Sequence, residues 1–134
     1  MKNKYKGKSI PWLLNKCQYY FNLYIRLRDE GQPCISCGNP YFDHASHFFP
    51  VKGNQQLRFD EDNCHGGCAY CNTFLYGNQF EYSKRLPKRI GKERFNALLK
   101  RQGDAKKNTG FKWQRWELIE KIEYYKERVN RELK

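Results

Sequence analysis

Two Cys-x2-Cys pairs, Cys34-Ile35-Ser36-Cys37 and Cys68-Ala69-Tyr70-Cys71, stand 30 residues apart in this 134-residue chain. Two thiolates at that spacing grip one Zn²⁺ from a tight turn, and a second pair closes a tetrahedron around it. Such a clamp pins both ends of a loop-rich segment, so it restricts the fold of the middle of the chain more than any other feature. A redox role needs only one pair and a surrounding βαβ pattern, and neither pair has one. Cys64 and His65 lie close enough to leave a shifted set, Cys34, Cys37, Cys64 and Cys68, open. Four thiolates leave the ion no open position, so the zinc is structural and any reaction must use other residues.

The length fits one domain, 1–134, with an N-terminal helix (9–30), a zinc-braced core (34–78) and a basic helical region (79–134). Charge is distributed along the same divisions. Residues 1–30 hold seven basic against two acidic side chains, residues 31–83 two against five, and residues 84–134 seventeen against seven. Basic arms around an acidic middle suit a polyanionic partner held beside a centre that tolerates a cation. No apolar run approaches the ~20 residues needed to cross a bilayer, which excludes a membrane-spanning role. The lysine-rich start does not read as a signal peptide, so a reducing cytoplasm is expected, and there six cysteines favour metal ligands or free thiols over disulfides.

Ser9 before Ile10-Pro11 predicts a helix start, and Leu13, Cys17, Tyr20, Phe21, Tyr24 and Leu27 recur at helical spacing up to about Asp29, where Gly31 and Pro33 stop it. Cys17 on that face reads as a small buried side chain. Residues 34–67 have no helical period and many turn formers, among them Gly66-Gly67. Ala45–Phe49 and Gln56–Phe59 are expected to pair as an irregular hairpin across Pro50–Asn54, followed by a short helix from Cys68 to about Asn78. Further helices are expected over Phe80–Ile90 and Lys92–Arg101, then a loop at 103–110. The last helix spans 112–132, with Trp116, Ile119, Ile122, Tyr125, Val129 and Leu133 as its packing stripe. The fold class is α+β.

Between and after the cysteine pairs lie His44-Ala45-Ser46-His47, Asn63-Cys64-His65 and Asn72. A His at a strand end, an Asn sixteen residues on and an oxygen ligand early in the next helix are the parts of a one-metal nuclease, in which the His takes a proton from water. The bland readings are a hydrogen-bonding loop His and a helix-start Asn.

Tyr24-Ile25-Arg26-Leu27-Arg28-Asp29, Cys34-Ile35-Ser36-Cys37-Gly38, His47-Phe48, Leu57–Asn63, Cys68-x2-Cys71-Asn72 and Gly77-Asn78 resemble the NinG (Rap) recombination proteins of lambdoid phages, over about residues 9–100. The resemblance implies an HNH-type ββα-metal endonuclease that cuts branched double-stranded DNA, such as Holliday junctions and D-loops, with Mg²⁺ or Mn²⁺. It would act in the cytoplasm of a bacterial host. Zinc-braced sites of similar kind occur in the phage junction resolvase endonuclease VII. Carried over by position, His47 becomes the general base, Asn63 the residue that positions it and Asn72 a ligand of the catalytic cation, while Cys34, Cys37, Cys68 and Cys71 hold the structural Zn²⁺. Asn78 falls on a Gly-Asn pair of the family. Where the family reads Asp-Ala-Gly-His, this chain has His44-Ala45-Ser46-His47, with Asp43 one place earlier. Either His44 or Asp43 then supplies the other cation ligand. A resolvase-like register would instead make Asp43 the ligand and His44 the base. The spacing to Asn63 and the following Phe48 favour His47.

Lys84, Arg85, Lys88, Arg89, Lys92 and Arg94 are the expected DNA-backbone contacts, carrying affinity without sequence information. Paired incisions at a junction imply a homodimer, through the 112–132 helix or the first helix. The competing classes are a non-catalytic zinc module that binds nucleic acid, and an adaptor built on the terminal helices.

Overall fold

The first helix begins where Ser9 and Pro11 place it: in the computed structural model, which describes residues 2–133, Ser9 Oγ accepts the Trp12 N–H at 3.2 Å. Helix α1 (Ile10–Arg28) then buries Leu13, Cys17, Phe21, Tyr24 and Ile25 along one side. Tyr20 and Leu27 pack at the edge of the same cluster. The Asp29 N–H closes the last turn on the Ile25 carbonyl, and Gly31 follows at φ +88°, a conformation that a side chain resists.

Helix α4 (Arg115–Glu132) lies along α1 and runs in the same direction. Arg115 at its start donates to the carbonyls of Tyr5 and Lys8, and Arg128 near its end donates to the Tyr24 hydroxyl at 3.1 Å. Leu118, Ile122, Tyr125 and Val129 meet the α1 face together with Phe59 and Cys64. The expected stripe is corrected at its ends, since Trp116 is 66% and Leu133 69% exposed while Leu118 is buried. The helix starts three residues later than predicted. Trp113 is drawn out of it to donate its indole N–H to the Gln55 carbonyl at 2.9 Å, and Gln114 and Glu117 form a capping box behind it.

A two-stranded antiparallel sheet joins β1 (His44–His47) to β2 (Cys64–Gly67), with His44 opposite Gly67 and His47 opposite Cys64. The first strand overlaps the expected segment but starts one residue earlier, at His44; the second lies outside its expected segment. Gln55–Leu57 forms a 3₁₀ turn, because Leu57 and Phe59 enter different cores and no single strand face satisfies both. The two glycines read as turn formers are instead strand residues that permit close approach. A Cβ on Gly66 would stand 2.5 Å from the Phe42 ring, and one on Gly67 would stand 2.9 Å from Ser46 Cβ.

Strand alternation gives the sheet two unlike faces. Ala45, His47 and Cys64 face α1, and Ser46 and His65 face the second layer. That layer is α2 (Gln79–Ile90) and α3 (Lys92–Lys106), which enclose Tyr82, Leu86, Ile90 and Leu98 with Ile35 and Leu57. Between β2 and α2, only Tyr70–Phe74 is helical, as a single π turn, rather than the whole of 68–78. Helix α3 continues through the predicted loop to Lys106. Tertiary contacts hold the extra turn: Lys106 Nζ to the Gly53 carbonyl at 2.9 Å, and Gln56 Nε2 to the Ala105 carbonyl at 3.3 Å. Among the described residues no helix is long and apolar enough to cross a membrane.

Candidate metal centre and the polar pair beside it

The first cysteine pair sits on the loop after α1 and the second at the entrance to the π turn, so β1–β2 pairing brings two distant segments together. The Sγ atoms of Cys34, Cys37, Cys68 and Cys71 all lie within 4.8 Å of one another. Cys37 and Cys68 are 3.8 Å apart, the edge of a tetrahedron with Zn–S bonds of about 2.3 Å. The Cys68 N–H donates to Cys34 Sγ at 3.3 Å, the Cys71 N–H to Cys68 Sγ at 3.4 Å, and Asn78 Nδ2 to Cys71 Sγ at 3.6 Å. Burial opposes ionisation of Cys34, but the backbone N–H groups of Cys37, Cys68 and Ser36 outweigh it and bring this thiol down to about 7. Four converging sulfurs with N–H donors aimed at them fit a metal ion such as zinc. The shifted set fails on geometry. Cys64 is wholly buried on the α1 face of β2, where burial drives its thiol pKa up, and His65 is turned toward Tyr82. Cys17 is buried as expected, its thiol pushed up to about 12 by burial.

Beside this cluster, the Asn72 side-chain amide meets His44 Nδ1 at 2.9 Å. His44 leaves β1 on the face opposite Ala45 and His47, and Asn72 follows Cys71 within the π turn, so the cysteine knuckle sets the reach of the amide.

His47 is not brought to this pair. Three residues beyond His44 in an extended strand, it points the other way. Its ring stacks on Phe21 with centroids 6.3 Å apart, and its Nε2 is 2.9 Å from the Arg58 carbonyl. Burial lowers its pKa, and its ring nitrogen is committed to backbone. The geometry thus brings His44, and not His47, to Asn72. Asp43 is exposed and lines a shallow cavity with Arg26, Glu30 and Tyr41, on the α1 side.

Asn63 is fully buried and reaches neither histidine side chain. Its Oδ1 accepts the Phe49 N–H at 2.8 Å, and its Nδ2 donates to the carbonyls of Phe49 at 3.0 Å and Leu57 at 3.2 Å. It fastens the loop that leaves β1, a positioning role exerted through the backbone.

A family model described as Bacteriophage Lambda NinG protein matches residues 1–134. The chain belongs to the NinG family. Its similarity to ninG of Escherichia phage 933W is 39% identity over 89 residues, covering 64% of this chain and 44% of that one. To ninG of Salmonella phage P22 it is 41% over 87 residues (63% and 42%), and to ninG of Escherichia phage lambda 38% over 89 residues (64% and 43%). The match spans under half the length of these relatives. No solved structure matches the chain.

Of the six basic residues expected on DNA in this NinG-family chain, three are occupied by the protein itself. Arg85 donates to the Ser36 carbonyl at 3.1 Å and Arg89 to the Pro33 carbonyl at 3.0 Å, both bracing the first knuckle, and Arg94 pairs with Asp62. Lys84, Lys88 and Lys92 are exposed, Lys84 within 3.4 Å of Glu81.

Sequence reasoning gave no role to two further residues. Arg28 donates to both carboxylate oxygens of Asp29, at 2.7 and 3.0 Å, and to the carbonyls of Glu61 and Cys64, each at 2.8 Å. Asp29 accepts the Gly66 N–H at 2.9 Å. Burial disfavours the Asp29 charge, yet Arg28 and the Gly66 N–H hold its pKa below the usual carboxylate value. This pair ties the end of α1 to β2. Its sequence signals are an Arg-Asp dipeptide just past the last apolar residue of the helix and the place of that dipeptide in the segment 24–29 that carries the family resemblance.

Proposed function

We propose that this NinG-family chain is a metal-dependent endonuclease of HNH type that hydrolyses phosphodiester bonds in branched DNA, Holliday junctions and D-loops among them. The observation that carries this reading is the 2.9 Å contact between His44 and Asn72 at the edge of the four-sulfur cluster. It joins an imidazole and an amide oxygen donor on a scaffold that a structural metal would hold rigid.

The two ends of an amide exchange by a half-turn, so Asn72 can present its oxygen to a protonated Nδ1. His44 Nε2 then carries the lone pair that takes a proton from water, with the ring orientation fixed by Asn72. The donor set suits Mg²⁺ or Mn²⁺ held by Asn72 and completed by water and substrate phosphate, since Mg²⁺ commonly takes only one or two protein ligands. When bound there, such a cation neutralises charge developing on the phosphate. Asn63 keeps the β1 exit loop in place. Lys84, Lys88 and Lys92 supply backbone contacts.

The resemblance to the NinG and endonuclease VII proteins supplies the substrate class, and cleavage of a four-way junction beside linear duplex, with and without added Mg²⁺ or Mn²⁺, tests it. His44→Ala is expected to slow cleavage on the order of 10²–10⁴-fold with DNA binding retained. His47→Ala should act by destabilising the fold. A wild-type chain that binds junctions and cuts none under any of these conditions would make it a zinc-braced nucleic-acid-binding module instead.

A further inference from the structure

The segment from Tyr70 to Phe80 contains no charged residue, and it exposes Tyr70, Phe74, Leu75, Tyr76 and Phe80. Tyr76 is 87% exposed, Phe74 and Phe80 70% each and Tyr70 62%. No other stretch of similar length among the described residues exposes so many rings, and this one contains Asn72. Tyr70 and Phe74 lie side by side, with centroids 5.9 Å apart.

The backbone beneath these rings is held in an unfavourable conformation. Tyr76 and Asn78 both have φ +51° and Gly77 has φ +91°, and for a bulky residue such as Tyr76 that region is costly. The turn is pinned to the knuckle. Ser36 Oγ donates to the Gly77 carbonyl at 2.7 Å, the Gly77 N–H to the Cys71 carbonyl at 2.7 Å, and Gln79 Nε2 to the His47 carbonyl at 3.2 Å. A glycine at position 76 would relieve the strain, and the tyrosine ring repays it with no buried contact. Strain of this kind clusters at active sites and ligand clamps.

Charge decides what the rings receive. Lys84 Nζ stands 4.2 Å from the Phe80 ring, and Lys88 lies further along the same helix. Bare aromatic faces bordered by cations suit nucleobases joined to phosphates, and every base has a face that stacks. Paired bases are already stacked, whereas bases at a branch point or in a single strand are free.

We propose that Tyr70, Phe74, Tyr76 and Phe80 form a stacking platform for unpaired nucleobases, which places a branch point beside His44 and Asn72. The inference rests on the nuclease reading only for where the scissile phosphate lies.

The test uses the full chain and flapped DNA carrying 2-aminopurine at the unpaired branch position, without added divalent cation so that no strand is cut. Wild type and His44→Ala should both quench the fluorophore. The triple variant Phe74→Ser, Tyr76→Ser, Phe80→Ser should not, and its preference for flapped over linear duplex should fall on the order of tenfold or more, with duplex affinity unchanged. Tyr76→Gly should raise the melting temperature while weakening flap binding, a combination that a structural tyrosine does not give. Quenching by a wild type that never cuts DNA would leave the platform standing and remove the nuclease. Wild-type binding to flaps without quenching, or a triple variant that discriminates as well as wild type, overturns the platform. So does a triple variant whose only change is loss of a dimer in sedimentation, which would make the patch a contact between copies.

Discussion

A single histidine shows how burial fixes both structure and pH response. His65 Nδ1 meets the Tyr82 hydroxyl at 3.2 Å, and that hydroxyl donates to the Ser46 carbonyl at 2.8 Å, so Nδ1 must supply the proton of the shared contact. Burial, aided by the nearby Arg28 charge, pushes the pKa down to about 3 from 6.5. The folded state therefore keeps His65 neutral while the unfolded chain protonates near 6.5, and stability must fall as pH drops below that value toward 3. Between pH 7 and pH 5 the loss is about 2 kcal/mol. Urea denaturation of wild type and His65→Asn at both pH values measures it: the variant should lose much less, and equal losses would refute the linkage. Asn63 acts at the same scale. Asn63→Ala leaves buried Phe49 and Leu57 backbone groups without partners and should cost about 3 kcal/mol by denaturant titration. An unchanged midpoint would mean the β1 exit loop needs no such fastening.

The sheet and the basic helices carry the next two expectations. Strand β2 accepts its neighbours only because two positions lack side chains. Gly66→Ala drives a Cβ into Phe42 and should cost about 1–3 kcal/mol, with part recovered in a Gly66→Ala, Phe42→Leu double variant. Additive losses would show that the clash is not with that ring. On α2 and α3, bonding to carbonyls and carboxylates of the same fold separates residues that composition could not. Replacing Lys84, Lys88 and Lys92 together with Gln should lower the slope of log K against log salt for duplex DNA by about 2–3. Arg94→Gln should mainly lower the melting temperature, because its guanidinium is engaged by Asp62. The helices were legible in sequence because caps and a 3.6-residue period are local signals. Strand β2 was not, since a four-residue strand of Cys-His-Gly-Gly has the composition of a turn and is defined only by its partner.

Across the molecule, the cysteine cluster joins the end of α1, the sheet and the start of the α2–α3 layer, so a metal ion held there braces all three and its removal should loosen them. Removal by phenanthroline is expected to abolish the cooperative thermal transition, and one equivalent of Zn²⁺ to restore it. A metal-stripped chain melting at the wild-type temperature would show that the two apolar clusters suffice. The sequence by itself determined the four sulfurs, the apolar faces of the first and last helices and the basic ends of the chain, because each follows from residue type at a fixed local spacing. The tertiary structure alone decided which histidine meets Asn72. His44 and His47 are equivalent in composition and three residues apart, and only the pairing of β1 with β2, and the helix packed on each face of that pair, sends one ring toward the knuckle and the other against Phe21. The same packing decided which arginines are free for a partner, since a guanidinium that finds a carbonyl or carboxylate within its own fold cannot be told by sequence from one that faces solvent.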